Sequence, residues 1–429
     1  MGARWGGMPP APTGEEELRI YEYDEREIDE LLPFRNAIFG HVSRDHWFAM
    51  NNTGVVAREG DELVGFIPLQ YRQQTLNARV SIPVVYENAV GVAQGRRGQG
   101  IGTAMLDEAA RFMSDRVDAM MVIRSGERSE GYRFYRKAGH SDLMYACWYY
   151  LEPEVEWPAA DRNGLSADES GLSADEHGQP VDARGFAVVD EERWLALEPQ
   201  LLALHERQYG RFGGGRRREP GYWRTVLDGH VYGEHPRWLV TLADEAGRLA
   251  GYLVAVQGDW GTEDQVYVYE VVGRDDDAVE RLVRYARRLS GDEQLNVPLV
   301  SLSNPIRPLL LRLGFAEGES SPHVMARILR PDRIFHRLAE GSGLQDTLAL
   351  TVLTPHRTLQ VNDPPRPRYA VRLETKEGML ARLCCCRLDL EAALELELVR
   401  WRQPDPGLRR DLARVFAPCE WVQWYTDFV

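Results

Sequence analysis

Arg97-Gly98-Gln99-Gly100-Ile101-Gly102 follows a run of strand character, Val84-Val85-Tyr86-Glu87-Asn88-Ala89-Val90-Gly91-Val92-Ala93. It leads into residues 101–113, where Ile101, Met105, Leu106, Ala109 and Phe112 recur at helical spacing. A strand, a glycine loop and a helix start in that order make an anion site. Glycine lets the backbone approach closely, and the first-turn N–H groups of the helix have no intrahelical acceptor. Arg96 and Arg97 add positive charge, so the loop suits a phosphate or pyrophosphate. Glycine alone is weak evidence, because turns use it for positive φ without binding anything. Two familiar loops are excluded by spacing: no Lys-Ser/Thr follows the last glycine, and G-x-G-x-x-G is absent.

A second motif lies downstream of another strand-like run, Asp118-Ala119-Met120-Met121-Val122-Ile123-Arg124. There Tyr132-Arg133-Phe134-Tyr135-Arg136-Lys137-Ala138-Gly139-His140 reads as a short helix stopping at a glycine, followed by an apolar strand over 143–151. At these residues the chain resembles the GNAT (Gcn5-related N-acetyltransferase) superfamily. In that family R-G-x-G-I-G cradles the pyrophosphate of acetyl-CoA, and F-Y-x-K-x-G-F sets a tyrosine beside the thioester sulfur. Every position of the first motif is present; in the second, His140 stands where the final aromatic is usual. The resemblance implies acetyl-CoA contacts from Val90, Val92, Arg96, Arg97, Gly98, Gln99, Gly100, Ile101 and Gly102. It implies Tyr135 as the acid for the departing thiolate, and a phenol of pKa ~10 roughly matches a thiol leaving group.

Composition narrows the remaining classes. A chain of 429 residues, 44% hydrophobic and 27% charged, is expected to be globular with two to four domains. No apolar run reaches the length of a membrane span. The net charge of −15 disfavours nucleic acid and favours cationic partners. The one basic cluster, residues 213–218 (GGGRRR), reads as a flexible, solvated loop. The cysteines at 147, 384, 385, 386 and 419 include no Cys-x-x-Cys, and His41 and His46 lack a third ligand, so no metal is expected. The adjacent three are expected to fill a buried strand, and a reducing cytoplasm fits free thiols.

Five segments follow. Residues 1–16 are Gly/Pro-rich at the start and expected to be disordered; 17–150 form the GNAT domain, with a helix over 28–39 and a hairpin over 55–67. Residues 151–184 form an acidic linker in which Gly164-Leu165-Ser166-Ala167-Asp168-Glu169-Ser170 is nearly repeated from Gly171 to His177. Residues 185–328 read as a damaged copy: a hairpin over 238–256, a strand over 266–272, a helix over 277–289, and Leu311-Arg312-Leu313-Gly314-Phe315 echoing the late motif. Where the first copy has its glycine loop, this one has Gly273-Arg274-Asp275-Asp276-Asp277. Three carboxylates at a helix start repel a pyrophosphate. Leu310 stands at the place of Tyr135. Residues 331–429 form a small α+β unit with strands over 347–353, 369–374 and 380–388, a helix over 411–416, and an apolar aromatic end expected to be docked.

That order resembles the Eis (enhanced intracellular survival) family, which closes with a sterol-carrier-like domain. The fold expected is therefore α/β (α+β): tandem GNAT folds, each a mixed central sheet flanked by helices, then a small α+β domain. In that family the C-terminal carboxylate reaches the first active site, which makes Val429 a catalytic candidate, although family chains end on an aromatic and here Phe428 is penultimate. The resemblance matches the family's pocket aromatics to Phe34, Phe39 and Trp47, each equally suited to the core, and Asp427 is a further candidate for a cationic substrate. The expected activity is acetyl transfer from acetyl-CoA to a primary amine of an aminoglycoside-like, polyamine or lysine substrate, small molecule or peptide, by a homo-oligomer. The alternatives are a tandem GNAT making a thiol conjugate and a non-catalytic acyl-CoA or lipid carrier.

Overall fold

The computed structural model describes residues 17–39, 43–49, 52–88, 90–123, 129–155, 173–174, 180–181, 184–228, 237–258, 264–356, 358–401 and 406–428. The expected disorder of 1–16, most of the acidic linker, His41 and Val429 lie outside them.

The first copy opens with β1 (Leu18–Glu22), α1 (Ile28–Phe39) and α2 (Arg44–Ala49). The antiparallel β2 (Asn52–Glu59), β3 (Glu62–Thr75) and β4 (Ser81–Glu87) follow. Next come β5 (Gly91–Val92), α3 (Ile101–Met113), β6 (Ala119–Ile123), α4 (Glu130–Lys137) and β7 (Ser141–Leu151). β2 is apolar on both faces because both are covered. Val55 and Ala57 pack with Met105 and Leu106 of α3, whereas Val56 packs with Ile28 and Leu31 of α1.

A small ladder of β8 (Ser173–Ala174) and β9 (Pro180–Val181) precedes the second copy. That copy holds β10 (Phe186–Val189), α5 (Glu191–Ala196), α6 (Glu198–Tyr209), α7 (Tyr222–Asp228), β11 (Arg237–Ala243) and β12 (Leu249–Gln257). It continues through β13 (Val266–Gly273), α8 (Asp276–Ser290), β14 (Leu295–Ser301), α9 (Arg307–Arg312), β15 (Ala316–Glu317) and β16 (Ser321–Ile328).

The two copies share one 14-stranded sheet, ordered β1-β2-β3-β4-β6-β16-β7-β14-β13-β12-β11-β10, with β5 on β3 and β15 on β7. β16 of the second copy lies between β6 and β7 of the first, antiparallel to both. β7 in turn spends its second half on β14 and β15. The late strands are thus exchanged, and neither copy completes its sheet alone.

The third part holds α10 (Pro331–Gly341), β17 (Leu348–Leu353), β18 (Thr358–Asn362) and β19 (Tyr369–Thr375). It ends with α11 (Glu377–Cys384), α12 (Leu390–Glu395), β20 (Val399–Trp401) and α13 (Pro406–Val415). Its sheet runs β18-β17-β19-β20 and packs on the first copy through Ile82, Val84 and Tyr86.

Four local expectations need correction. The strand expected over 84–93 is two strands, for reasons that belong to the site. Residues 380–388 are not a strand: Leu380, Ala381, Leu383 and Cys384 form the buried stripe of α11, and Cys386 leaves the helix at φ 54°. A short apolar run fits either period, and here the helical one won. The three cysteines are buried, but at a helix end. The helix expected over 411–416 is the longer α13. Residues 213–218 are not a solvated loop either. Gly214 N donates to Thr75 O at 2.8 Å, Thr75 N to Gly215 O at 3.0 Å and Arg217 N to Gln73 O at 2.8 Å, so the segment pairs along the end of β3. Gly214 has φ 88°, and a Cβ there would lie 2.6 Å from Cβ of Trp421.

Candidate active site

β4 and β6 run parallel with Val84, Val85 and Tyr86 opposite Ala119, Met120 and Met121. Beyond Glu87 the chain changes register on β3: Leu69 faces Glu87, but Phe66 faces Gly91 and Gly65 faces Val92. β5 makes its ladder with β3 and leaves β6, so the sheet opens as a wedge whose closed end is Glu87. Val90 lies just before β5, half-buried, and Val92 within it.

The glycine loop sits at the open mouth. Gly98 and Gly100 have φ 80° and 86°, and a Cβ at either would meet nothing within 4 Å. Gly100 is the N-cap of α3 without any capping side chain, leaving its first-turn N–H groups directed at that space. Gly102 serves packing instead: a Cβ there would come 3.3 Å from the Phe134 ring, so its absence lets α4 approach α3. Ile101 is buried, Gln99 is exposed with Nε2 3.4 Å from Gly95 O, and Arg97 Nε donates to Val92 O at 3.2 Å. Arg96 is paired with Glu59. These residues fit a pyrophosphate: open backbone, a helix start and two arginines at the rim.

Behind the loop stands α4, capped by Ser129 Oγ accepting from Tyr132 N at 3.1 Å and ended by Gly139 at φ 88°. It carries Tyr135, 2% exposed, against Phe134. His140 lies edge-on to Tyr135, ring centroids 5.2 Å apart, and its Nε2 is 2.8 Å from Glu87 Oε1. The imidazole therefore occupies the family's aromatic place while pairing with the carboxylate at the closed end of the wedge. Glu87 was missed by sequence reasoning. The usable signal was a lone carboxylate within an apolar strand run.

The opposite face of β3 and β4 receives the C-terminal tail. Gln70, Arg72, Gln74 and Tyr86 are buried there. Trp421 Nε1 donates to Leu76 O at 3.2 Å, Gln423 Nε2 to Tyr86 Oη at 3.3 Å, and Arg72 Nη1 to Asp427 O at 2.6 Å. Burial and the neighbouring Arg216 charge lower the Arg72 guanidinium to about 9. From the second copy, Arg218 places Nη1 2.5 Å from Glu270 Oε1 and Nη2 3.0 Å from Asp427 Oδ1, and Tyr222 Oη donates to that same oxygen at 3.2 Å. Burial disfavours the Arg218 charge, yet Asp427 and Glu270 outweigh it and hold the guanidinium well above its ordinary value. Asp427, a candidate substrate contact, thus has its carboxylate turned to Arg218. Trp47 is buried between Tyr23 and Phe66 in the core beneath α1 and α2, and Phe34 lies half-buried at its margin. Nothing is described of the Phe39 side chain or of Val429.

Among the described residues no group of three or more His, Cys, Asp or Glu is placed to hold a metal, and no helix is long and apolar enough to cross a membrane.

An open glycine cradle before a helix, a wedged sheet and a buried tyrosine define an acyltransferase of the GNAT type. Residues 16–140 match the acetyltransferase (GNAT) family model, which marks that part of the chain as a GNAT domain; members of that family use an acyl-CoA co-substrate. Among solved structures it is similar to a probable N-acyltransferase from Enterococcus faecalis (13% identity, 95% of this chain and 99% of that one, TM-score 0.66). It is also similar to a GCN5-related N-acetyltransferase from Anabaena variabilis (13%, 95% and 99%, 0.65) and to Eis1 from Mycobacterium abscessus (15%, 96% and 99%, 0.59). At these identities the likeness establishes the fold: the large mixed sheet and the small second sheet, over nearly the whole chain. No curated protein sequence matches significantly.

Proposed function

We propose that the protein transfers the acetyl group of acetyl-CoA to a primary amine of a cationic substrate: aminoglycoside-like, polyamine or lysine side chain. The observation that carries this reading is the open cradle at Gly98 and Gly100 on the same wedge as buried Tyr135. Acetyl-CoA supplies an activated acyl group and a thiolate leaving group. The start of α3, with Arg96 and Arg97, would hold its pyrophosphate, and the backbone of Val90 and Val92 its arm and the acyl oxygen. Tyr135 would give a proton to the sulfur. The net charge of −15 favours a cationic acceptor.

In this reading residues 17–150 supply the chemistry, 185–328 a degenerate partner and 331–429 the tail, whose Val429 carboxylate would orient a water or hold the substrate ammonium; Phe34 and Phe39 would line the acceptor side, while Trp47 packs in the core. The test is thiol release from acetyl-CoA with a panel of amines. Release with polycationic amines, lost in Tyr135→Phe, is expected. No release above hydrolysis with any amine would overturn the reading.

A further inference from the structure

We propose that His140, held by Glu87, is the base that takes the proton given up by the attacking amine. This rests on the acetyl-transfer reading above. Both side chains are fully buried, and Nε2 to Oε1 is 2.8 Å. A carboxylate at Nε2 fixes the ring N–H on that nitrogen, leaving Nδ1 as the lone-pair side of a neutral imidazole. Nδ1 of His140 is buried without a hydrogen-bond partner, as is Oε2 of Glu87. Two unsatisfied polar atoms at the closed end of the wedge are costly in a purely structural pair.

Position supports the same role. Glu87 is the residue at which β4 ends, just beyond the last positions paired with β6, and the wedge opens directly past it. His140 N donates to Tyr135 O at 3.0 Å, so one helix end positions both an acid and a base. The groups facing the pair are few. From α4 come Tyr135 and Arg136, whose Nη1 is 3.4 Å from His140 O. Asp142 of β7 is taken by Tyr132 at 3.0 Å and lies 3.8 Å from Arg136. Arg327 of β16, near Gly139, is paired with Asp107. The residues of β6 there are apolar.

In the reaction the amine nitrogen bonds to the thioester carbonyl carbon and the carbon–sulfur bond breaks. Tyr135 gives its proton to sulfur, and the ammonium proton passes to His140 Nδ1. Glu87 stabilises the imidazolium formed. Return of that proton to solvent and reprotonation of Tyr135 restore the enzyme, with a net transfer of one proton from amine to thiol.

The discriminating variant is His140→Phe, which restores the family aromatic and would be silent if His140 only fills space. The expected result is a fall in kcat of about 10²-fold with acetyl-CoA affinity unchanged. Glu87→Gln should cost about 10-fold in kcat. Because His140→Phe strands a buried carboxylate, the double variant E87Q/H140F serves as the folded control and should match the single variant's rate. Wild-type turnover in H140F or in the double variant, or a loss carried only by KM, would overturn the proposal. Silence of the wild type toward every amine would instead overturn the acetyl-transfer reading, and this proposal with it.

Discussion

The two copies agree where the backbone must do the same thing and differ where chemistry is needed. Gly139 and Gly314 both end a helix at positive φ, 88° and 84°. His140 N donates to Tyr135 O at 3.0 Å, and Phe315 N to Leu310 O at 3.1 Å. The turn is one device used twice, but its side chain is a phenol in one copy and an aliphatic group in the other. At the preceding helix start the contrast reverses. α3 is capped by Gly100 over open space, whereas α8 is capped by Asp275, whose side chain accepts from Ala278 N at 2.9 Å. That backbone hydrogen bond, opposed by burial and aided by Arg274, lowers the Asp275 carboxyl below its usual value. The second copy has filled its own anion site. It has also turned a buried carboxylate of β13, Glu270, toward Arg218 and Thr426 of the tail.

The largest effect tests whether either copy stands alone. A fragment of residues 17–155 lacks β16 and would expose the facing edges of β6 and β7, each an unpaired ladder. It should be aggregated or unfolded by circular dichroism, whereas a chain ending at 328 keeps the shared sheet. A cooperatively folded, soluble short fragment would show that the exchange is dispensable.

The helix starts come next. Gly100→Asp places a carboxylate and a Cβ at positive φ into the cradle and should abolish acetyl-CoA binding by calorimetry. Asp275→Gly loses a cap, costs a few tenths of a kcal/mol, and should create no second site. Two equivalent sites in the native protein would break the contrast between the copies. At the late turn, Tyr135→Phe should lower kcat about 10²-fold with little change in KM. Leu310→Ala should leave kcat within a few-fold and cost about 3 kcal/mol of stability, the loss expected of a buried cavity. Equal kinetic damage from both would mean that Tyr135 is a packing residue.

Much of this was legible in the sequence because its signals are local. The glycine loop, the Phe134-Tyr135 helix and the hairpins are each written within about a dozen residues. The strand exchange is not, since β16 and β6 meet across some 200 residues with no local signature. The Glu87–His140 and Glu270–Arg218 pairs share one weak signal, a carboxylate set within an otherwise apolar strand. Such a group almost always has a partner, but composition cannot say which. Residues 213–218 misled because three glycines followed by three arginines look solvated. Here the glycines permit contact with Trp421, and Arg218 is drawn inside.

The smallest expected effect concerns the exchanged strand itself. β16 carries His323 between Pro322, opposite Tyr145, and Val324, opposite Met144. β7, given in exchange, carries no histidine. Burial lowers His323 to about 3, against ~6.5 in an unfolded chain. With the folded value depressed, its contribution is complete above the unfolded value and is lost as pH falls towards the folded one. Below neutrality the unfolded chain takes a proton that the folded strand refuses. Between pH 7 and 5 this one residue should remove about 2 kcal/mol of stability. His323→Leu should flatten that part of the slope in urea unfolding at the two pH values. His205, also lowered well below its ordinary value by burial, contributes in the same direction, so the flattening should be partial. An unchanged slope would mean that the folded strand does not hold His323 below its ordinary value.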